Sequence, residues 1–223
     1  LLKKRIADIL EEKFLYHILD EYPEIDQGIF SAVGDYPKEI ADLLNNILTY
    51  YIELDHHTIL PIQNDYESKS SLGYDRIAGV VAAHNIYPQH NVLVIDAGTA
   101  ITFDLITLEG VFRGGNISPG LHTRAKALHK FTNKLPLVNF ETEPELLGTN
   151  TEKAIISGIV SGILYEIEGY VNRLNKDYHD LKIILTGGDA KYLKKKIKSH
   201  IFVDSDLNLK GLDRILEYNA HKK

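Results

Sequence analysis

The chain has 223 residues, of which 44% are hydrophobic and 25% are charged, so it can bury a core large enough for one large domain or two small ones. Its net charge of -6 argues against nonspecific nucleic-acid binding and favours a small-molecule partner. The absence of cysteine excludes disulfides and thiolate chemistry, and no apolar run approaches the roughly 20 residues of a membrane helix. We therefore expect a globular cytoplasmic protein that binds neither nucleic acid nor a membrane.

The N-terminal part of the chain predicts alternating helices and strands. Apolar residues at helical spacing predict an amphipathic helix over Leu1 to Asp20, and a short apolar run predicts a strand over Gly28 to Val33. A second helix is predicted over Pro37 to Leu48, with proline in its first turn, and a second strand over Tyr50 to Leu54. This strand–helix–strand order predicts an α/β sheet with some parallel pairing.

A polar loop precedes the next predicted helix, which extends from Gly73 to Asn85. Its first turn contains Asp75 and Arg76, and the helix dipole favours the ionised form of the Asp75 carboxylate. Asp75 is suited to accept a proton from a substrate hydroxyl, and Arg76 is suited to bind a substrate carboxylate through two parallel hydrogen bonds. A structural alternative is that Asp75 caps the helix.

The stretch from Asn91 to Thr107 contains the main candidate for phosphate binding. A β-branched run predicts a buried strand over Val92 to Ile95, and residues 96–99, DAGT, predict a tight turn before a second strand of alternating pattern. The N–H groups of such a turn suit phosphate, and Asp96 with Asp104 can hold a cation against phosphate oxygens. The alternative is an ordinary hairpin turn with a solvated acid.

Two further glycine-containing segments follow predicted strands. The strand Val111 to Ser118 ends in GGNISPG, whose glycines predict a loop rather than a strand interior. A helix is predicted over Gly120 to Thr132, and its start can present N–H groups to an anion. The buried strand Leu181 to Leu185 leads into Thr186 to Asp189, TGGD, a turn that can seat a nucleotide or simply connect a strand to a helix.

The remaining segments have structural interpretations. A long helix is predicted over Asn150 to Tyr178, where Gly158 and Gly162 indicate close packing against another helix. The basic run Lys194 to Lys198 is interpreted as the solvated face of the helix that follows the TGGD turn. The chain ends in a predicted strand over Ile201 to Val203 and a predicted helix over Lys210 to Asn219.

Six motifs resemble those of the type III pantothenate kinases in order and spacing. They are YESKSSLGYDR, DAGTAITFD, GGNISPGL with LHKFTNKLP, LLGTNTEKAIISG, LTGGD and GLDRILEYN, and they extend over about two-thirds of the chain. The resemblance implies the fold of the acetate and sugar kinase, Hsp70 and actin superfamily, in which ATP binds in a cleft between two ribonuclease-H-like domains. Residues 1–90 would then belong to the first domain, with the acceptor-site loop, and residues 91–223 to the second.

The resemblance also implies a reaction and a role for individual residues. The reaction is ATP-dependent phosphorylation of pantothenate to 4′-phosphopantothenate, the first step of coenzyme A biosynthesis, with Mg²⁺ and a monovalent cation, K⁺ or NH₄⁺. Asp75 matches the general base, and Asp96 matches the aspartate that binds the monovalent cation. The family forms homodimers in which the second subunit helps to close the pantothenate pocket. Acceptor-binding positions are Tyr66, Gly73, Tyr74, Asp75, Arg76 and Thr151, and ATP-binding positions are Gly98, Thr99, Gly187 and Gly188.

Two departures from the family pattern leave alternatives open. The family's Asp-x-Gly-Asn-Thr hairpin, which forms the first phosphate loop and helps to hold Mg²⁺, does not occur here, so we expect the N-terminal domain to be incomplete in this chain. Lys69 and Ser70 replace a proline, which predicts a less rigid acceptor loop. The alternatives are a regulatory relative that binds ligand without turnover, or another small-molecule kinase or polyphosphatase of the superfamily. Tyr66 and the LGYDR motif favour pantothenate.

Overall fold

The computed structural model describes residues 12–32, 36–141 and 143–221. A short 3₁₀ helix, Lys69–Ser71, precedes the third α-helix. In chain order the elements are α1 (Glu12–Glu21), β1 (Gln27–Phe30), α2 (Lys38–Ile47), β2 (Tyr50–Glu53), β3 (Gln63–Asn64), α3 (Tyr74–Ile86), β4 (Val92–Ala97), β5 (Ala100–Ile106), β6 (Val111–Pro119), α4 (Leu121–Phe131), α5 (Thr151–Asp177), β7 (Lys182–Thr186), α6 (Ala190–Lys194), β8 (Phe202–Val203) and α7 (Leu207–Ala220).

β1 and β2 form a two-stranded parallel sheet with α2 as the crossover helix, which confirms the predicted parallel pairing. Pro37 is the N-cap of α2 rather than a residue of its first turn. The predicted first helix is described from Glu12 onward, and its earlier residues lie outside the described part of the chain. The strand predicted to reach Val33 ends at Phe30, and Val33 also lies outside the described part.

The second sheet has six strands in the order β3-β6-β5-β4-β7-β8. β5 is antiparallel to both β4 and β6, whereas β4, β7 and β8 are parallel to one another. The sheet thus has three antiparallel strands, β6, β5 and β4, followed by two strands parallel to β4, and helices cover both of its faces. This arrangement confirms the predicted α/β class and its ribonuclease-H-like topology. The domain boundary at residue 90 stays a prediction, and both β3 and α3, which precede it, lie in or against this sheet.

Helices cover both faces of the six-stranded sheet. Val94 and its neighbours on one face pack against α3 and α7, and Leu93 and Ile95 on the other face pack against α5. Six of the seven residues of β5 are buried for this reason, so the expected alternation of buried and exposed residues is not found there. Two core clusters therefore cover the two faces of the central strands. Ligands can reach the carboxyl ends of these strands but not their faces.

α5 is long and apolar enough, by length and composition, to cross a membrane. Its apolar side chains are nevertheless used in the core, where Ile159, Ile163 and Ile167 are buried against the sheet. Asn150 caps its first turn by accepting a hydrogen bond from the Lys153 N–H at 2.9 Å. The apolar character of α5 is therefore explained by packing in the core of a globular fold.

Gly114 and Gly115 of GGNISPG lie inside β6, so the prediction of a loop is wrong for these two glycines, whereas Gly120 follows the strand as the N-cap of α4. A Cβ atom on Gly115 would lie 1.9 Å from the Phe103 carbonyl oxygen, and Gly114 has a φ of +96°. The pairing between β5 and β6 is irregular between Leu105 and Ile106, opposite these glycines. Glycine is required here because the two backbones approach closely at a bulge, and not because the strand ends.

Three helical predictions also need correction. α6 ends at Lys194, so the basic run to Lys198 lies mostly beyond the helix, where Lys196 packs over the Tyr192 ring and pairs with Glu143. α7 begins at Leu207 rather than Lys210. A Cβ atom on Gly158 of α5 would meet no atom within 4 Å outside its own helix, so close packing against another helix of the described residues does not explain this glycine.

Candidate functional site

The parallel strands β4 and β7 bring two predicted ligand-binding segments together at their carboxyl ends. Asp96, near the end of β4, lies opposite Thr186 of β7. The turn after β7 folds over β4, where the Asp189 N–H donates to the Ala97 carbonyl at 2.9 Å. Gly187 has a φ of +93°, and a Cβ atom on it would lie 2.3 Å from that same carbonyl oxygen. Only glycine fits this turn, because the conformation is left-handed and the backbones are in contact.

A cavity of about 490 Å³ opens at this edge of the sheet. Asp96, Gly187 and Gly188 line it together with polar residues of α6 and α7. Ligands of open α/β sheets bind outside the carboxyl ends of the strands, and the volume is within the usual range for small-molecule sites. Further polar lining residues are Lys191, Ser205, Asp206 and Asn208.

The hairpin turn between β4 and β5 packs against the start of α4. The Thr99 carbonyl accepts hydrogen bonds from the Gly120 N–H at 3.0 Å and from Thr123 Oγ1 at 2.7 Å. A Cβ atom on Gly120 would lie 1.9 Å from the Gly98 carbonyl oxygen. The Gly120 N–H is thus bound to the turn and is not available to an anion, in contrast to the expectation for this helix start. The Thr99 side chain remains exposed beside the turn.

Asp75 is exposed at the first turn of α3, and its Oδ1 accepts a hydrogen bond from the Arg76 N–H at 2.8 Å. The N-cap of the helix is Gly73, so the alternative in which Asp75 is the capping residue is not what the structure shows. A Cβ atom on Gly73 would lie 2.5 Å from Asp75 Oδ1. Glycine therefore leaves room for the carboxylate, which combines an exposed position with the favourable end of the helix dipole.

Arg76 is buried and does not offer the open pair of donors that the sequence predicted. Its Nε and Nη2 bind Asp104 at 2.9 and 2.5 Å, and the two side chains are 6% and 1% exposed. Burial acts to lower the pKa of Arg76, but the hydrogen bonds and charge of Asp104 raise it above its ordinary value. The prediction that Asp104 shares a cation with Asp96 is wrong, because Asp104 is already neutralised by Arg76.

Tyr66 lies next to this buried pair. Its hydroxyl is 3.4 Å from Arg76 Nη1, the Arg76 guanidinium lies 5.2 Å from the ring centroid, and the ring stacks on Phe112 at 6.0 Å. A cavity of about 350 Å³ adjoins the ring. Tyr74, a further predicted acceptor contact, packs partly buried against the core beneath α3. The lining of the cavity is Asp65, Tyr66, Glu67, Ser68, Arg113, Gly114 and Gly115.

Asp75, Asp96 and Asp104 form an acidic cluster in which Asp96 lines the first cavity and Asp104 lies next to Gly115 of the second. Burial raises the pKa of Asp96 above its ordinary value, and the charges of Asp75 and Asp104 raise it further. Asn208 opposes this effect by donating a hydrogen bond from Nδ2 to Asp96 Oδ2 at 3.2 Å. Within the described residues no group of three or more acidic or histidine side chains is arranged as a metal site. A cation at Asp96 would therefore need further oxygen ligands from substrate or water.

Thr151 is placed in a different region from the other predicted acceptor contacts. It is the first residue of α5 and lines an apolar groove of about 860 Å³ between α4 and α5. Thr123, whose hydroxyl binds the Thr99 carbonyl, lies in the same groove. The groove therefore extends from the hairpin turn of the site along the outer surface of the two helices, and it does not contain Tyr66 or Asp75.

The family model described as type III pantothenate kinase matches residues 10–173, which is more than half of the chain. The chain belongs to this family. A type III pantothenate kinase of Bacteroides fragilis (strain YCH46) is 47% identical over 196 residues, which are 88% of this chain and 81% of the relative. One from Phocaeicola vulgatus is 45% identical over 202 residues, which are 91% and 83% of the two chains.

A solved structure has the same fold. It is a conserved protein of Campylobacter jejuni, solved under the provisional description of a Baf family transcriptional activator. It superposes with a TM-score of 0.63 at 25% identity and covers 91% of this chain and 89% of its own. The arrangement of strands and helices in this pantothenate kinase family member is therefore also found in an experimental structure.

Sequence reasoning missed three residues of this candidate site. Asp104 was recognised as an acid but not as the partner of Arg76, which is 28 residues away along the chain. Asn208 precedes the recognised GLDRILEYN motif, and Arg113 precedes the glycines of β6. Neither belongs to a pattern that indicates ligand binding, so contact with Asp96 and with the second cavity was needed to identify them.

Proposed function

We propose that this chain transfers the γ-phosphoryl group of ATP to pantothenate and forms 4′-phosphopantothenate, the first step of coenzyme A biosynthesis. The observation that supports this most directly is that each of two cavities adjoins a carboxylate of one acidic cluster. One cavity contains Asp96 and the glycine turn after β7. The other is bounded by Tyr66 and by Gly115, where a Cβ atom would lie 2.6 Å from Asp104 Oδ1. A nucleotide and an acceptor can thus meet at the cluster.

In this mechanism Asp75 is the general base. Its carboxylate accepts the proton of the pantothenate hydroxyl while that oxygen bonds to the γ-phosphorus and the bond to the ADP oxygen breaks. Thr99 and the backbone at Gly98 contact the transferred phosphate, and Gly187 and Gly188 approach the adenosine side. Such transfers depend mainly on positioning and on charge stabilisation, because little covalent chemistry is required of the protein.

The acceptor is held on the α3 side of the cluster. Tyr66, Gly73 and Tyr74 contact pantothenate, and Arg76 supports this side by holding Asp104 and the Tyr66 hydroxyl in place. Mg²⁺ supplies neutralisation of phosphate charge when it is bound with ATP. Asp96 is assigned to the monovalent cation, so Mg²⁺ would be held mainly by phosphate oxygens and water.

The overall reaction can be tested with the purified intact protein. ADP formation should require both ATP and pantothenate, and the product should have the mass of 4′-phosphopantothenate. A superfamily kinase of different specificity would release ADP with another acceptor, and a regulatory relative would bind ATP without releasing ADP. We further propose that the reaction takes place in the cytoplasm.

We predict that activity requires a monovalent cation at Asp96. The Arg76 guanidinium is bound to Asp104, and Asp75 and Asp96 have no cationic partner among the described residues, so additional positive charge is needed before phosphate can approach. Potassium or ammonium should support higher rates than sodium, and a bulky organic cation should support almost none. The measurement is the initial rate at constant ionic strength. Equal rates with all of these cations would contradict the assignment.

We propose a homodimer that buries the groove between α4 and α5. Phe131, Leu146 and Leu147 are 80%, 75% and 80% exposed there or in the adjoining loop, and contiguous exposed apolar surface is typical of an interface. A helix of the second subunit would also explain the open space at Gly158. Dimerisation at this face would bring a partner subunit to Thr151, the predicted acceptor contact that lies in the groove.

We expect Phe131→Glu to convert the dimer to a monomer, because it places a charge in the centre of the buried apolar surface. Sedimentation velocity measures the change. Phe202→Glu is the matched control, since Phe202 is also exposed but lies on β8, away from the groove. A Phe131→Glu protein that remained dimeric would show that this groove is not the interface.

A further inference from the structure

The acceptor carboxylate needs a cationic partner that Arg76 does not readily provide. The Nε and Nη2 atoms of Arg76 both bind Asp104, and Nη1 points to the Tyr66 hydroxyl. The side chain is also 6% exposed. A carboxylate that bound Arg76 through two hydrogen bonds would have to displace Asp104 from a buried ion pair, which is unfavourable because it would leave Asp104 without its partner.

Arg113 is the arginine that lines the acceptor cavity directly. It lies on β6, immediately before Gly114, and its side chain is 52% exposed. Its Nη1 donates to Asp65 Oδ2 at 2.7 Å, and no other described residue binds Nε or Nη2, so these atoms can bind a ligand. The left-handed Gly114 next to it brings the strand close to the Tyr66 ring, where a Cβ atom would be 3.4 Å from Cδ2. The guanidinium and the candidate acceptor tyrosine thus share one cavity.

Neighbouring residues fix the position of Arg113. Asp65 Oδ1 accepts a hydrogen bond from Gln63 Nε2 at 2.7 Å, and the Asp65 N–H donates to the Phe112 carbonyl at 3.1 Å. The same segment pairs with β6 through β3. Arg113 therefore contacts an anchored carboxylate, so less rotamer freedom is lost when a ligand binds than for an unrestrained surface arginine.

The charges around the cavity strengthen the case for Arg113. Asp65 and Glu67 both line the cavity, and Arg113 is the cation among the residues that line it. Without Arg113, two carboxylates would face an anionic acceptor and would repel it. An uncharged acceptor would be little affected. Loss of Arg113 should therefore weaken the binding of acceptors that have a carboxylate more than the binding of those that lack one. A general disturbance of the cavity would weaken both.

We propose that Arg113 is a specificity-determining residue that binds the carboxylate of the acceptor. This assignment rests on the proposed function, because it identifies the group that recognises the anionic end of pantothenate at the same site. Arg76 then has a supporting role beneath the cavity, where it holds Asp104 and Tyr66. Arg113, on the exposed side of the cavity, selects acceptors that have a carboxylate.

The test compares Arg113→Gln with the unmodified protein on pantothenate and on pantothenol, which has a hydroxyl in place of the carboxylate. The KM for pantothenate should rise by about 10-fold or more, as expected for loss of a charged hydrogen bond. The kcat and the KM for ATP should change little. The KM for pantothenol, or its inhibition constant if turnover is slow, should be the same for both proteins. Arg113→Lys should give an intermediate KM, since lysine keeps the charge but lacks the planar pair of N–H donors of the guanidinium.

Arg173→Gln is the matched control, because Arg173 is a 74% exposed arginine on α5 and the substitution changes the net charge equally. An unchanged pantothenate KM in Arg113→Gln would overturn the assignment, and so would equal losses with pantothenate and pantothenol. Failure of the unmodified protein to phosphorylate pantothenate would instead overturn the proposed function. That result would be evident before any variant is compared.

Discussion

Replacing Asp75 with Asn is expected to lower the turnover number by about 100-fold or more, because general-base assistance typically contributes roughly 10²–10⁴ in rate. Asn has the same size and can still accept the hydrogen bond that the Arg76 N–H makes to Asp75 Oδ1 at 2.8 Å. It cannot take the proton of the acceptor hydroxyl. The melting temperature and the affinity for ATP should therefore stay close to those of the unmodified protein while kcat falls.

Asp177→Asn provides a control for this experiment, since Asp177 is an exposed carboxylate at the far end of α5 and the charge change is identical. Its kcat should be unchanged. Near-normal turnover by Asp75→Asn would remove Asp75 from the chemical step. A large loss of kcat together with a large fall in melting temperature would mean that the carboxylate has a structural role instead.

Replacing Asp104 with Ala is expected to destabilise the fold by about 3–5 kcal/mol, because it leaves the charge of Arg76 buried without a partner. Unfolding free energies of single domains are about 5–15 kcal/mol, so this loss is a large part of the total. For a chain of this size each kcal/mol shifts the melting temperature by about 2–4 °C, which predicts a decrease of about 6–20 °C. Thermal and urea unfolding measure the effect.

Two comparisons separate this effect from a general loss of charge. Asp177→Ala breaks an exposed pair, in which Arg173 Nε and Asp177 Oδ2 are 3.9 Å apart, and should cost less than about 0.5 kcal/mol. Adding Arg76→Met to Asp104→Ala should recover part of the lost stability, because the unpaired charge is then removed. If Asp104→Ala were no more destabilising than Asp177→Ala, the buried pair would not contribute to the stability of α3 on the sheet.

The sequence alone was sufficient for most of the elements and for the family. Periodicity, glycine turns and β-branched runs located the central strands, α3, α4 and α5, since local patterns report on local conformation. The DAGT and TGGD turns were both found from glycine and from the strands before them. The motifs also indicated type III pantothenate kinases, which the match over residues 10–173 confirmed.

Only the tertiary structure could decide which groups contact one another across neighbouring strands and helices. Asp104 was assigned to a cation because the sequence shows an acid near a phosphate turn, whereas pairing of β5 beneath α3 places it against Arg76, 28 residues away. The glycines of β6 were assigned to a loop because the close approach of the Phe103 carbonyl to Gly115 depends on a neighbouring strand.

The same reason explains why Arg113 and Asn208 carry no signal in the sequence. Each acquires its candidate role from a residue that is distant along the chain, Asp65 for Arg113 and Asp96 for Asn208. A local pattern records which groups a segment can offer, but the packing of the sheet and helices decides which of those groups are already bound and which remain free for a ligand. For this reason Arg76, which follows the proposed general base Asp75 in the sequence, is a buried partner of Asp104 in the fold.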